Sequence, residues 1–380
     1  MKVRSLFYST LCMLLLGVSF TACSDNDDDN RKNDEGSQIE LPNQRVYILN
    51  EGSYQKNNAG ITFYNPTMSS PIIEDIFQKQ NNAKLGDTGQ DMIEYNDFIY
   101  VAMYGSSYIT KLNEACVEQK RYAFTPEQGQ PRYLTAEDGK LYVTLSSGHV
   151  ARLDANTLTF EKMVAVGKNP EQLIEEDGKL YVVNSGFGQD NRLSIIDLKT
   201  FDQAEQVEIF KNPEKILEAN DKIFIQGYGG DYPNYTYPVV IYDRATRTYE
   251  KIGQGTLMAE CNDVVYVIYS ETDWTTGTST HTLYSYNART GQKDETPFLQ
   301  MPEELKTRTL YMLSINPENG EFYIGSSDFT TNGDIYRFHA DGTLKEKFAM
   351  RGQVGYLGCE YLDGKLIRKD AVKVLQMAAD

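Results

Sequence analysis

Six loops of this 380-residue chain carry aromatic side chains where a connection has only to turn. Tyr54 stands in residues 51–60, Tyr104 in 104–108, Phe187 in 185–191, Tyr228, Tyr232, Tyr235 and Tyr237 in 227–238, Trp274 in 271–280 and Phe329 in 326–332. A second set, Gln90 and Asp91, Arg132 and Tyr133, Glu171 and Gln172, and Glu214 and Lys215, recurs five and six places before four successive turn dipeptides. Flat rings mixed with amide and charged groups do non-covalent chemistry: they stack on a flat ligand and hydrogen-bond its edge. The predicted ligand-binding residues are Tyr54, Tyr104, Arg132, Gln172, Phe187, Lys215, Tyr228, Tyr232, Tyr235, Trp274 and Phe329, and a small, flat, polar-edged molecule or a sugar would suit them. The competing expectation is that the tyrosines pack on one another and close the mouth they surround. Residues 228–237 are the strongest stretch, being long and rich in Gly and Tyr where no hairpin requires it.

Covalent and metal chemistry find no constellation here. His149, His281 and His339 show neither His-x-His nor Glu-x-x-His spacing, so no metal site is expected. No Gly-x-Ser-x-Gly elbow occurs, and Gly227-Tyr228-Gly229-Gly230 lacks the following helix of a phosphate cradle. Glu175-Glu176 lies beside a turn and reads as solvated charge. The expectation is a binding protein without catalytic residues or cofactor.

The elements that position these loops follow from a repeat. Turn dipeptides Asn96-Asp97, Asp138-Gly139, Asp177-Gly178, Asn220-Asp221, Asn262-Asp263, Asn319-Gly320 and Asp363-Gly364 lie 42, 39, 43, 42, 57 and 44 residues apart, each followed by a β-branched and aromatic run. That period suits one four-stranded propeller blade. One unit reads as strands over 132–137, 140–146, 149–153 and 160–166, with the next beginning at Gly167-Lys168-Asn169-Pro170. Residues 45–49, 61–64 and 72–77 read as second, third and fourth strands lacking a first, which the strand at 354–362 would supply to close the ring. The predicted fold is an all-β, seven-bladed propeller, with six blades the alternative count. Its hairpin turns share one face, and the aromatic loops share the other with the rim of the central channel.

Residues 1–22 have a basic start (Lys2, Arg4) and an apolar run over 11–18, too short to span a bilayer, and read as an export signal. Phe20-Thr21-Ala22-Cys23 resembles a bacterial lipobox, which makes Cys23 the expected lipidation site; plain cleavage leaving a free thiol is the alternative. Residues 23–40 read as an acidic, disordered tether, 41–370 as the propeller and 371–380 as a tail. The acidic run of Asp25, Asp27, Asp28 and Asp29 looks like a tag for export to the outer face, or like simple solubilisation. The chain carries a net charge of −17. Removing the signal takes two of 37 basic and none of 54 acidic residues, leaving −19, a surface that repels nucleic-acid backbones. Cys116, Cys261 and Cys359 remain, an odd number that argues against a disulfide framework.

From residue 45 to 362 the chain resembles the YncE-like propellers: Gly167-Lys168-Asn169-Pro170 before a first strand, Lys179-Leu180-Tyr181-Val182 after a turn and Asp197-Leu198-Lys199-Thr200 after a third strand match their unit in order. Val46-Tyr47-Ile48-Leu49-Asn50-Glu51-Gly52 with Asn57-Asn58-Ala59 resembles the opening of Bacteroidetes surface lipoprotein propellers, BtuG-type cobalamin-capturing proteins among them. The resemblance implies cobalamin as ligand, a TonB-dependent outer-membrane transporter as partner and a cell-surface location on the outer membrane. A scaffold or adhesion propeller that binds a protein or glycan is the second expectation.

Overall fold

The structure, a computed structural model, describes residues 33–42, 44–66, 72–273, 275–276, 278–327, 333–349 and 365–366. The expected signal segment, Cys23 and the predicted strand at 354–362 lie outside them. The chain divides into two units, residues 1–31 and 32–380, and the described residues all belong to the second.

Alternating apolar side chains between Asn/Asp/Gly turns give antiparallel meanders. In the first, Gly89–Tyr95, Phe98–Met103, Tyr108–Asn113 and Glu118–Ala123 pair in order. Five more sheets of four consecutive strands follow, with inner strands Pro131–Glu137, Pro170–Glu176, Pro213–Ala219, Leu257–Cys261 and Thr309–Ile315. The unit read from sequence at 132–166 appears as Pro131–Glu137, Lys140–Leu145, His149–Asp154 and Phe160–Ala165. Asn96, Asp138, Asp177, Asn220 and Asn262 open the inner hairpin turns at φ between 48° and 53°, the left-handed region that Asn and Asp tolerate best. The inner strands of these six sheets surround a channel of about 720 Å³, and the chain is an all-β propeller.

A further four-stranded sheet is composite. Val46–Asn50, Gly60–Tyr64 and Ile72–Ile73 pair in order, and Lys365–Leu366 pairs with Leu49 and Ile48 on the inner edge. Among the described residues the closing pairing falls at 365–366, while the predicted strand at 354–362 lies outside them. An open strand edge demands some partner, but the repeat period does not dictate which segment supplies it. One apolar cluster joins this sheet to its neighbours, Ile48 and Phe63 sharing it with Leu112 of the first sheet and with Tyr323 and Ile335 of the sixth.

Two further expectations change. The fourth strand predicted at 72–77 is a two-residue strand followed by a helix, Ile76–Asn81. Asp75 caps it by accepting from the Gln78 amide at 3.0 Å, Asn82 ends it in the left-handed region, and Ile76, Phe77 and Gln80 are buried, so a cap and a tertiary seat override β-propensity. Residues 33–40, read as the end of the tether, are folded onto the propeller. Their partners are polar groups distant in sequence, which composition does not reveal.

Candidate ligand-binding face

Each second strand rises from a hairpin turn to the loop face. In the third sheet the rising strand Lys179–Asn184 ends in residues 185–190, where Ser185 O accepts the Gly188 and Asp190 amides at 2.9 and 3.0 Å and Arg192 holds Asp190 through two bonds of 2.6 and 2.7 Å. The loop is closed by its own hydrogen bonds, and it lifts Phe187 to 65% exposure.

In the fourth sheet, residues 228–237 fold back on themselves. Tyr228 O accepts the amides of Thr236 and Tyr237 at 2.9 and 2.8 Å, and Gly229 O accepts the Thr236 amide and hydroxyl. Gly229 sits at φ +58° with room for no Cβ, which would lie 2.4 Å from Pro238 Cδ and 2.5 Å from Thr236 Oγ1. Inside this turn the tyrosines do pack on one another: ring centroids lie 4.9 Å apart for Tyr228 and Tyr235, 5.6 Å for Tyr228 and Tyr237, and 5.8 Å for Tyr237 and Tyr269. Tyr232 caps the stack, 6.1 Å from Tyr235, and is 82% exposed. The two loops are bonded through the segment between them: Asn212 donates to Asp190 O at 2.9 Å, Tyr228 donates to Asn212 O at 3.0 Å, and Lys211 pairs with Asp231. Phe187 and Tyr232 thus stand on one continuous bonded platform.

Other predicted residues bond from sheet to sheet. Arg132 is fully buried, joined to Glu171 of the next sheet by bonds of 2.9 and 2.6 Å, and Glu171 also accepts from Asn169 Nδ2 at 2.5 Å and Ser185 Oγ at 2.6 Å. Asp91 Oδ2 accepts the Leu134 amide at 2.9 Å, Gln172 Oε1 the Ile216 amide at 3.3 Å, and Lys215 Nζ donates to Thr256 O at 3.2 Å. Each bond crosses from one sheet to the next, so this predicted rim staples blades together; Gln172 and Lys215 also line the channel. Phe187 lies over the staple, its centroid 5.9 Å from the Arg132 guanidinium carbon. Tyr104 is half-buried beside the same group: burial pushes its hydroxyl up while Arg132 pulls it down, and Tyr54 and Glu171 add to the rise. Tyr54 is 42% exposed. The structure therefore brings Tyr54, Tyr104, Arg132 and Phe187 into one neighbourhood and Tyr228, Tyr232 and Tyr235 into an adjoining one. Trp274 and Phe329 lie outside the described residues.

On the opposite face the carboxylates are structural. Glu94, Glu175, Glu218 and Glu260 accept the amide three residues on at 3.3, 2.7, 2.8 and 2.9 Å, each closing its own hairpin turn. Four of the seven turn dipeptides have a Glu two places before them, and Glu175, expected as solvated charge, is one of these turn-closing groups. Glu137 nearby is pushed up by burial and then by Glu175 and Asp138. Among the described residues no group of three or more His, Cys, Asp or Glu is placed to hold a metal ion, and no helix is long and apolar enough to cross a membrane. Cys116 and Cys261 are buried free thiols.

Residues 44–356 match the model of a domain of unknown function, DUF5074. The chain belongs to the DUF5074 family. No curated protein matches this family member. Among solved structures it is similar to hydrazine synthase of Kuenenia stuttgartiensis, at 15% identity over 67% of this chain and 77% of that one with a TM-score of 0.55. It is similar to a chain of the mitotic checkpoint complex at 12% identity, 73% and 90% coverage and a TM-score of 0.53. BamB of Moraxella catarrhalis matches at 14% identity, 88% and 94% coverage and a TM-score of 0.47. At such identities the first two likenesses show the fold alone.

Proposed function

We propose that this DUF5074 chain is a seven-bladed, YncE-like propeller, lipid-anchored at Cys23 on the outer face of a bacterial outer membrane. It captures a small nutrient on its aromatic face and passes it to a TonB-dependent transporter, without catalysing a reaction. The composite sheet is the seventh blade of this reading, closed by 365–366. The ligand we favour is a corrinoid such as cobalamin, a flat ring edged by amides. The observation that carries the reading is the platform formed by residues 185–190, 211–212 and 228–237. It holds two large rings, Phe187 and Tyr232, 65% and 82% in solvent on bonded, pre-formed loops. Exposed apolar rings on rigid loops lose little ordering entropy on binding, which favours a recognition role over a packing one.

One observation favours the second reading, a scaffold for a protein or glycan. Tyr232 protrudes from its stack rather than lining a hollow, as a ring does at the centre of a flat interface. Calorimetric titration of the signal-free chain with cobalamin and cobinamide separates the two. Saturable heat with one site supports corrinoid capture. No heat with either corrinoid, together with retention of the chain on a glycan or partner-protein column, supports the scaffold.

A further inference from the structure

The first folded residues make a set of contacts that a solvated tether has no use for. Arg45, 1% exposed, takes the Asp34 carboxylate in a two-pronged pair of 2.6 and 2.7 Å and also donates to Pro42 O at 2.7 Å and Glu114 O at 2.9 Å. Tyr47 donates its hydroxyl to the same Glu114 carbonyl. The Asn33 amide bonds Glu114 Oε2 at 2.5 Å, Asn113 Nδ2 bonds Glu35 O at 2.9 Å, and Gln80 holds the Gln38 amide and the Ser37 hydroxyl at 2.8 Å each. Ile39 and Leu41 pack on the apolar cluster behind them.

The place of these contacts in the fold gives them a consequence. Residues 113–117 form the third-to-fourth turn of the first sheet, on the same face as the Asn96-Asp97 hairpin turn. Val46–Asn50 starts at that face and rises to the loop that bears Tyr54. The strap and the aromatic platform therefore lie on opposite faces of the propeller.

We propose that residues 33–41 are an orienting strap that sends the N-terminal chain out on the hairpin-turn face, so that whatever holds the N-terminus turns the aromatic face outward. With the lipid anchor at Cys23, on which this inference rests, the hairpin-turn face meets the lipid surface and Phe187 and Tyr232 meet the medium. About ten residues separate Cys23 from the strap, a contour of roughly 35 Å at full extension. The hairpin-turn face carries Asp138, Asp197, Asp221 and Asp243, together with Asp154 and Asp177, which pair with Lys140 and Arg244. Anionic headgroups repel such a face across about one Debye length, ~8 Å, so the chain stands off on its tether with the strap deciding which way it points. Without the strap, residues 33–41 would add to the tether and the molecule could present either face.

Two measurements test this. In the first, the full lipidated chain with Cys359→Ser is placed in phosphatidylcholine vesicles carrying a headgroup quencher, with a dye at Lys199→Cys on the hairpin-turn face or at Asn234→Cys on the aromatic face. Stronger quenching at position 199 is expected, and equal or stronger quenching at 234 overturns the orientation. In the second, hydrogen exchange is followed over residues 33–41 of the signal-free chain in solution. Slow exchange that is lost in Asp34→Ala supports the strap, and free-chain exchange in the unsubstituted protein overturns it. Asp34 is chosen because it is partly exposed and Arg45 keeps its bonds to Pro42 O and Glu114 O without it, whereas Arg45→Ala opens a buried site. If the unsubstituted chain and Cys23→Ala are equally soluble, the anchor fails and the exchange result alone decides the strap.

Discussion

The Arg132 guanidinium and the Glu171 carboxylate, on inner strands of adjacent sheets, form a two-pronged pair from which solvent is excluded on both sides. A buried pair of this kind contributes little net stability, but removing one partner strands the other charge. Arg132→Ala and Glu171→Ala are each expected to cost about 3–5 kcal/mol, read as a lowered urea midpoint, while Arg132→Met combined with Glu171→Leu recovers most of the loss. A ligand-contact role for Arg132 would instead leave the midpoint near that of the unsubstituted chain.

Gly229 is required by its turn. Gly229→Ala forces a Cβ against Pro238 and Thr236 at φ +58°, at an expected cost of about 1–3 kcal/mol confined to residues 228–237. Near-ultraviolet dichroism of the tyrosine stack should change and ligand heat should fall, with the far-ultraviolet spectrum of the sheets preserved.

His281 gives the fold a dependence on mildly acid pH. Its Nε2 lies 2.8 Å from Leu305 O and its Nδ1 2.9 Å from Ser270 Oγ. Burial lowers its pKa below the ordinary imidazole value and the Leu305 bond only partly offsets this. The unfolded chain therefore takes up the proton first. Stability from this group is complete above about pH 6.5 and is lost as pH falls below that value through the folded pKa. His281→Gln should flatten the thermal midpoint between pH 7 and 5; an unchanged slope would contradict the assignment.

The junction between the sixth and the composite sheet rests on Arg337. It bonds Glu321 at 2.8 and 2.5 Å, Glu346 at 2.7 Å, the Tyr64 hydroxyl at 2.9 Å and Pro66 O at 3.2 Å, while Phe348 stacks on Tyr64 at 4.6 Å. Arg337→Met should destabilise the chain by about 3–5 kcal/mol and open residues 46–73 to protease before the other sheets. A chain ending at residue 349 should keep this junction, since none of these partners lies beyond it.

The propeller was legible because the turn chemistry repeats: Asn or Asp at left-handed φ followed by a β-branched run fixes strand boundaries to within a residue or two over 131–165. The helix at 76–81 was not, since Ile76 and Phe77 suit a strand equally well and only the Asp75 cap and a buried seat decide. Of the aromatic loops expected from the sequence, those at 185–191 and 227–238 hold Phe187 and Tyr232 exposed, while Trp274 and Phe329 lie outside the described residues. Register places Arg132, Gln172 and Lys215 at the channel rim, but it does not show that each also bonds the neighbouring sheet. The Asp34–Arg45 pair left no local signal: its residues are eleven apart, and Arg45 also bonds a carbonyl 69 residues away.

The central claim is that the ligand sits on Phe187 and Tyr232. The direct measurement is calorimetric titration of cobalamin into the signal-free chain and into Phe187→Ala/Tyr232→Ala, whose exposed rings carry little of the fold. Binding by the first, weakened at least about tenfold or abolished in the second with the thermal midpoint unchanged, is the predicted result; each lost stacking contact is worth on the order of 1 kcal/mol or more. Equal affinity in the two proteins, or no binding by either, would contradict it.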